Sequence, residues 1–293
     1  MIEGWHAASR MLSVEGADLH VVDLGEGGTP LILIHGFLMS SYMWRENLES
    51  LSENRRVLAV CLPGCGWSAV GEGPYDLEAQ GRAVLAMMDA LKIERACLAG
   101  HSLGGAIALW IARHHPERVE RMALVCALAV KRPLPAPWAF ANRRLAGLYR
   151  LFFRPAMAKR AIERLAYKDI QLDEDYMRHF IEPLRRPGGV EAAMVIAQVC
   201  RTVTNGSAAE LASIQPEALV LWAIRTDCFQ SLSEPDWRHT CPTPASFPFK
   251  IVGIRPTRSI RSASTRSSTP SSIPCDSAQR LGPGREGGFR QTL

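Results

Sequence analysis

Gly100-His101-Ser102-Leu103-Gly104-Gly105 is the stretch of this sequence best suited to chemistry. It follows the apolar run Ala96-Cys97-Leu98-Ala99 and opens a helix-like pattern from Gly104 to His114. A serine flanked two residues away by glycine on each side, at a strand-to-helix junction, sits on a very tight turn. Its backbone is strained and its hydroxyl is raised at the edge of the sheet. The helix N-terminus beyond it presents free N–H groups where negative charge would develop. Those are the requirements of a nucleophile, here Ser102, with Gly100, His101 and Gly104 shaping the turn. Leu31-Ile32-Leu33-Ile34 likewise ends in His35-Gly36-Phe37. The backbone N–H groups of Phe37 and Leu103, one after each glycine or serine, are the expected donors of an oxyanion hole.

Such a site needs parallel strands whose carboxyl ends share one edge, and the first 125 residues carry the signals. Ser13–Val22 reads as two short strands about a glycine turn. Pro30–Ile34, Arg56–Val60, Ala96–Ala99 and Arg121–Cys126 are continuous apolar runs, the mark of strands buried on both faces. Between them, Ser41–Ser50, Leu77–Leu91 and Gly104–His114 have helical spacing. Alternating strand and helix predicts an open, mostly parallel sheet covered on both sides. From Lys131 onward no strand signal recurs until Pro216–Trp222, and the prolines at 133, 135, 137, 155, 183 and 187 divide that interval into short helices.

Hydrophobic residues at 47% and charged residues at 22% exclude a wholly disordered or fibrous chain. The net charge of +5 invites a polyanionic partner, but residues after Trp222 hold ten Lys or Arg against five Asp or Glu. The body is therefore neutral. Arg255, Arg258, Arg261 and Arg266 lack interleaved aromatics or an amphipathic helix, so no nucleic-acid partner is expected. The eight cysteines show no metal-binding spacing and read as free thiols. With no leader-like start and no membrane-spanning run, the chain is expected to be cytoplasmic.

These motifs together resemble the α/β-hydrolases of the lipase, esterase and peptidase type. The resemblance rests on His35-Gly36-Phe37, Leu62-Pro63-Gly64-Cys65-Gly66-Trp67-Ser68, Gly100 to Gly105 and Leu219–Trp222. It covers residues from about 13 to 222. It implies an α/β fold, with a mostly parallel, doubly wound sheet, a helical cap insertion and an irregular C-terminal tail. The implied division is a core from 1 to 130, a cap over 131–205, a core strand within 206–222 and a disordered, non-family tail over 223–293. The implied chemistry is attack by Ser102 on a small-molecule ester, amide or similar acyl bond, with no cofactor and no metal. The oxyanion hole is formed by Phe37 and Leu103, and the substrate lies between sheet and cap. Serine at 102 argues against the dehalogenase and epoxide hydrolase branches, which use aspartate there. Cys61 departs from the aspartate usual before Leu-Pro-Gly. A non-catalytic relative that keeps the pocket for binding is the alternative.

A nucleophilic serine also needs a base and an orienting acid. The resemblance places the acid about four residues past the Leu219–Trp222 strand and the histidine roughly thirty residues later. Neither stands there: Asp227 is one position late, a weak candidate acid, and His239 is too early. His35 and His101 belong to loop motifs, His114 and His115 lie about 18 Å down the helix, His179 is in the cap, and His6 and His20 precede the sheet. No base is identified.

A one-base shift of the reading frame after Trp222 reconciles the tail with the pattern. With third bases freely chosen, Ala223–Asp227 written GCG ATT CGG ACC GAT becomes GGC GAT TCG GAC CGA once a G is restored, which reads Gly-Asp-Ser-Asp-Arg. Lys250–Pro256, shifted in the same way, contains Asp-Cys-Gly-His-Ser-Pro. The acid codon straddles Arg225 and Thr226, and the histidine codon straddles Gly253 and Ile254, twenty-eight positions later. Without the lost segment, the sheet edge beside Leu219–Trp222 is expected to be unpaired.

Overall fold

The apolar runs form the middle of a twisted sheet in the computed structural model of this chain, which describes residues 8–15, 17–71, 73–128, 174–203, 210–211, 213–223 and 249–254. Eight strands occur among the described residues: β1 Ser9–Val14, β2 Ala17–Leu24, β3 Leu31–Ile34, β4 Val57–Val60, β5 Ala96–His101, β6 Val119–Val125, β7 Glu217–Ala223 and β8 Phe249–Ile254. Their order is β1-β2-β4-β3-β5-β6-β7-β8. β1 pairs with β2, and β2 with β4, antiparallel; every later pairing is parallel. The expected mostly parallel α/β sheet with an antiparallel edge hairpin is therefore present. The hairpin starts earlier than expected, and His20, expected ahead of the sheet, lies inside β2.

Helices follow the strands: α1 Arg45–Ser52 after a 3-10 turn at Ser41–Trp44, α2 Leu77–Ala90, and α3 Leu103–His114. The Asp76 carboxylate caps α2 by accepting from the Ala79 N–H at 2.8 Å. α3 is apolar around its whole circumference, and Leu103 to Ala112 are all buried. Period-2 alternation sorts the strand side chains between two layers. Ile32, Ile34, Leu58 and Val60 pack with Met88, Ile107 and Ile111 on the α2/α3 side. Leu31, Leu33, Val57 and Ala59 pack with Tyr42 and Leu48 on the other.

Two helices of the cap interval are described, α4 Glu174–Arg185 and α5 Gly189–Thr202. Residues 129–173, the rest of the expected cap, lie outside the described residues. Pro183, expected to break the chain, sits inside α4. It occupies the last turn, where only one intrahelical N–H, directed at His179, is lost.

The unpaired edge beside Leu219–Trp222 is corrected. β8 lies parallel to β7, with Ala218 opposite Phe249 and Ala223 opposite Ile254. The strand is brief and bounded by Pro-, Ser- and Arg-rich sequence, which hid it from composition. The rest of the tail, including Asp227 and His239, lies outside the described residues. No helix among the described residues is long and apolar enough to cross a membrane.

Candidate active site

Ser102 occupies the junction of β5 and α3 with φ +51° and ψ −112°, a conformation that costs a non-glycine residue roughly 1–3 kcal/mol. Its surroundings hold it there. The Ser102 N–H donates to the Val125 carbonyl at 2.9 Å, and its own carbonyl accepts from Gly105, Ala106 and Leu128 at 3.0, 3.2 and 2.9 Å. Strand β6 and the chain just after it thus tie down the turn. A Cβ on Gly104 would overlap the Ile34 carbonyl and stand 2.7 Å from that of His35. Only glycine lets α3 start this close to the end of β3.

The loop after β3 meets the same turn. A Cβ on Gly36 would lie 3.3 Å from the Cβ of Ser102 and 2.7 Å from Nδ1 of His101. The Met39 N–H donates to the Gly36 carbonyl at 3.2 Å, with Leu38 at φ +58°, so Phe37 is carried on a tight turn against the serine. Leu103 is the first residue of α3, where an N–H has no acceptor within its own helix. The structure thus brings Phe37, Leu103, Gly100, His101, Gly104 and Ser102 to one place.

His35 supports this loop and is not a base. The Leu62 N–H donates to its Nε2 at 3.0 Å, so Nδ1 carries the proton and donates to the Gly36 carbonyl at 2.8 Å. Burial holds its pKa down at about 4, with a weaker contribution from neighbouring His101. His101 is lowered to about 4 by burial as well, and its buried Nδ1 has no hydrogen-bond partner among the described residues.

The thiol at position 61 fits the slot where an aspartate was expected. Cys61 Sγ accepts from the Ser41 N–H at 3.3 Å and lies 3.5 Å from His20 Nδ1. Its carbonyl accepts from the Ser68 hydroxyl at 2.6 Å, and Ser68 Oγ in turn accepts from the His20 N–H at 2.9 Å. Burial pushes the Cys61 pKa up, keeping the thiol neutral.

Among the described residues no base stands at Ser102. No described residue hydrogen-bonds Ser102 Oγ: His20 lies at Cys61, His114 Nδ1 donates to the Trp110 carbonyl at 2.8 Å, and His115 lies 3.6 Å from Glu117. Among the described residues no cluster of His, Cys, Asp or Glu could hold a metal.

The docking of α4 was not legible in the sequence. Arg186, just past α4, donates to the carbonyls of Gly66 and Ser68, each at 2.7 Å. These contacts span about 120 residues of chain, beyond the reach of any local pattern. Between α4, α5 and the loop after β3 lies a cavity of about 20 Å³, lined by Phe37, Met39, His179, Phe180, Leu184 and Ile196 among others, with space for about one water molecule.

The family model for the alpha/beta hydrolase fold matches residues 29–168. The chain is 34% identical over 209 residues to the dihydrolipoyllysine-residue acetyltransferase component of the acetoin cleaving system of Pseudomonas putida, covering 68% of this chain and 52% of that protein. It is 35% identical over 150 residues to 2-hydroxymuconate semialdehyde hydrolase of Pseudomonas sp. (strain CF600), covering 48% and 52%. The chain spans about half the length of these relatives. The fold matches a meta-cleavage product hydrolase from Pseudomonas fluorescens IP01 with TM-score 0.67 at 22% identity, covering 84% of this chain and 89% of that one. The matched residues carry β3, β5 and the Ser102 turn, and the chain belongs to the α/β-hydrolase fold family.

Proposed function

We propose that this protein descends from serine hydrolases acting on an ester, amide or similar acyl bond of a small molecule, with Ser102 as the nucleophile. One observation carries the reading: Ser102 is held at φ +51° at the end of β5, with the Gly36 backbone against it. In this reading Ser102 Oγ attacks the acyl carbon, and the carbonyl oxygen becomes an oxyanion that accepts from the N–H groups of Phe37 and Leu103. The Oγ proton must pass to a base, and from there to the leaving group. His35 cannot serve, because its Nε2 lone pair is already engaged by Leu62. Turnover by this chain is accordingly weak.

The sheet supports a lost base and acid over an ancestral absence. β5, β6, β7 and β8 are parallel, so their carboxyl ends share the edge that holds Ser102. The shifted-frame acid codon falls two to three residues past the end of β7, and the histidine codon falls at the end of β8. Those are adjacent strand ends on the serine's own edge. Sequencing the coding DNA tests this. A frame reading Gly-Asp-Ser-Asp and then Gly-His past codon 222 is expected, and its absence would sink the frameshift.

The lack of a described hydrogen-bond partner for Ser102 Oγ favours a second reading, an α/β-hydrolase-like binding protein without catalysis. A frame-restored chain that hydrolyses no ester would select it. The described cysteines, Cys61, Cys65, Cys97, Cys126 and Cys200, are all free, which fits a cytoplasmic setting.

A further inference from the structure

Tyr42 and His179 stack face to face, ring centroids 3.7 Å apart and planes 3° from parallel. They belong to parts of the molecule with different tasks. Tyr42 lies at the far end of the segment that begins with Gly36 and Phe37, while His179 projects from cap helix α4. The segment between is knit by its own turns. The Met39 N–H donates to the Gly36 carbonyl, the Met43 N–H to the Ser40 carbonyl at 3.1 Å, and the Tyr42 N–H to Ser40 Oγ at 3.3 Å. The two turns, 36–39 and 40–43, follow one another directly, a route by which a shift of Tyr42 would pass back to Phe37.

The stack is closely confined. The Arg45 guanidinium lies over the Tyr42 ring, 4.7 Å from its centroid. A face covered by an imidazole at 3.7 Å has no room for it, so Arg45 takes the opposite face. His179 is oriented on its own helix by Nδ1, which donates to the Asp175 carbonyl at 2.8 Å. Among the described residues its ring also meets the edge-on Trp67 ring, 5.9 Å away, on the loop that Arg186 grips. Tyr42 and His179 are each only 8% exposed. His179 and Phe37 also line the same small cavity.

We propose that His179 is a positioning residue: seating α4 clamps Tyr42 between His179 and Arg45, and this fixes the oxyanion-forming N–H of Phe37. The cap then does more than cover the substrate; its docking completes the oxyanion hole. The inference rests on the reading of Phe37 as an oxyanion donor. An error of about 1 Å in such a donor costs up to roughly a hundredfold in rate, so a loosened loop has a measurable consequence.

The test uses the full chain and two readouts. The first is amide hydrogen exchange, which needs no catalysis. His179→Ala is expected to speed exchange across residues 36–44 about tenfold while leaving β5 and α3 unchanged, and His179→Phe, which keeps a flat ring, to return it towards wild type. Tyr42→Leu removes the same stack from the core side and should give the same localised change. The second is acylation of Ser102 by p-nitrophenyl acetate, followed by intact mass over hours. His179→Ala should lower the maximal acylation rate about tenfold with the half-saturating concentration unchanged, and His179→Phe should recover most of it.

Unaltered exchange at 36–44 in both His179→Ala and Tyr42→Leu would overturn the coupling. So would normal acylation by His179→Ala, or a loss that His179→Phe fails to recover. A wild-type chain whose Ser102 never acylates is what a lost base predicts, and the exchange readout then decides the coupling by itself.

Discussion

Gly36 abuts Ser102 so closely that a Cβ added to the glycine would lie 3.3 Å from the serine's Cβ. Loops leaving the adjacent parallel strands β3 and β5 are thereby held in contact, the closeness an oxyanion donor at Phe37 requires.

Gly36→Ala tests that contact. The new methyl would press on His101 Nδ1 at 2.7 Å, so the loop must back away from the serine. A stability loss of about 1–3 kcal/mol is expected in urea unfolding, with Ser102 acylation slowed up to about a hundredfold. Gly71→Ala, with nothing within 4 Å of its added Cβ, should stay within about 0.5 kcal/mol of the parent.

His35 and His101 predict an acid weakness. Burial lowers both to about 4 from an ordinary 6.5, so the unfolded chain takes up their protons first as pH falls. The stability they contribute is complete above about pH 6.5 and is lost as pH drops towards 4. His35→Asn should unfold at pH 5 with about one fewer proton taken up than the parent, as read from the pH dependence of urea unfolding. An unchanged proton uptake would show that His35 is not held neutral.

Arg186 predicts a cost of undocking α4. Its guanidinium reaches two carbonyls of the 66–68 loop at 2.7 Å, and charge-assisted hydrogen bonds contribute about 1.5–3 kcal/mol together with the groups they satisfy. Arg186→Ala should lower stability by about 2 kcal/mol and open α4 to limited proteolysis. Arg186→Lys should recover part of the loss, because both 2.7 Å bonds come from one nitrogen, Nη2, whose place an ammonium can take. Equal protease resistance in all three proteins would contradict this role.

The parts legible in the sequence were those written locally. Leu31–Ile34 and Val57–Val60 are uniformly apolar because they are covered on both faces, and the glycines around Ser102 mark a turn that only small residues permit. Interactions spanning long stretches of chain were not legible. Nothing near Arg186 announces the carbonyls of Gly66 and Ser68, and nothing near His179 announces Tyr42. His35 read only as a loop residue because its tautomer is set by Leu62, twenty-seven residues away. β8 was hidden because Phe249–Ile254 is a short strand within a stretch whose composition resembles no folded element.

Ser102 is, in this proposal, a hydrolase nucleophile left without its base. The proposal is tested most directly by p-nitrophenyl ester turnover in three proteins: this 293-residue chain, the version with the frame restored after Trp222, and Ser102→Ala in the restored version. Near-background turnover is expected in the first, a gain of at least about a thousandfold in the second, and loss of that gain in the third. Strong turnover by the unrestored chain that Ser102→Ala abolishes, or no gain on restoring the frame, would contradict it.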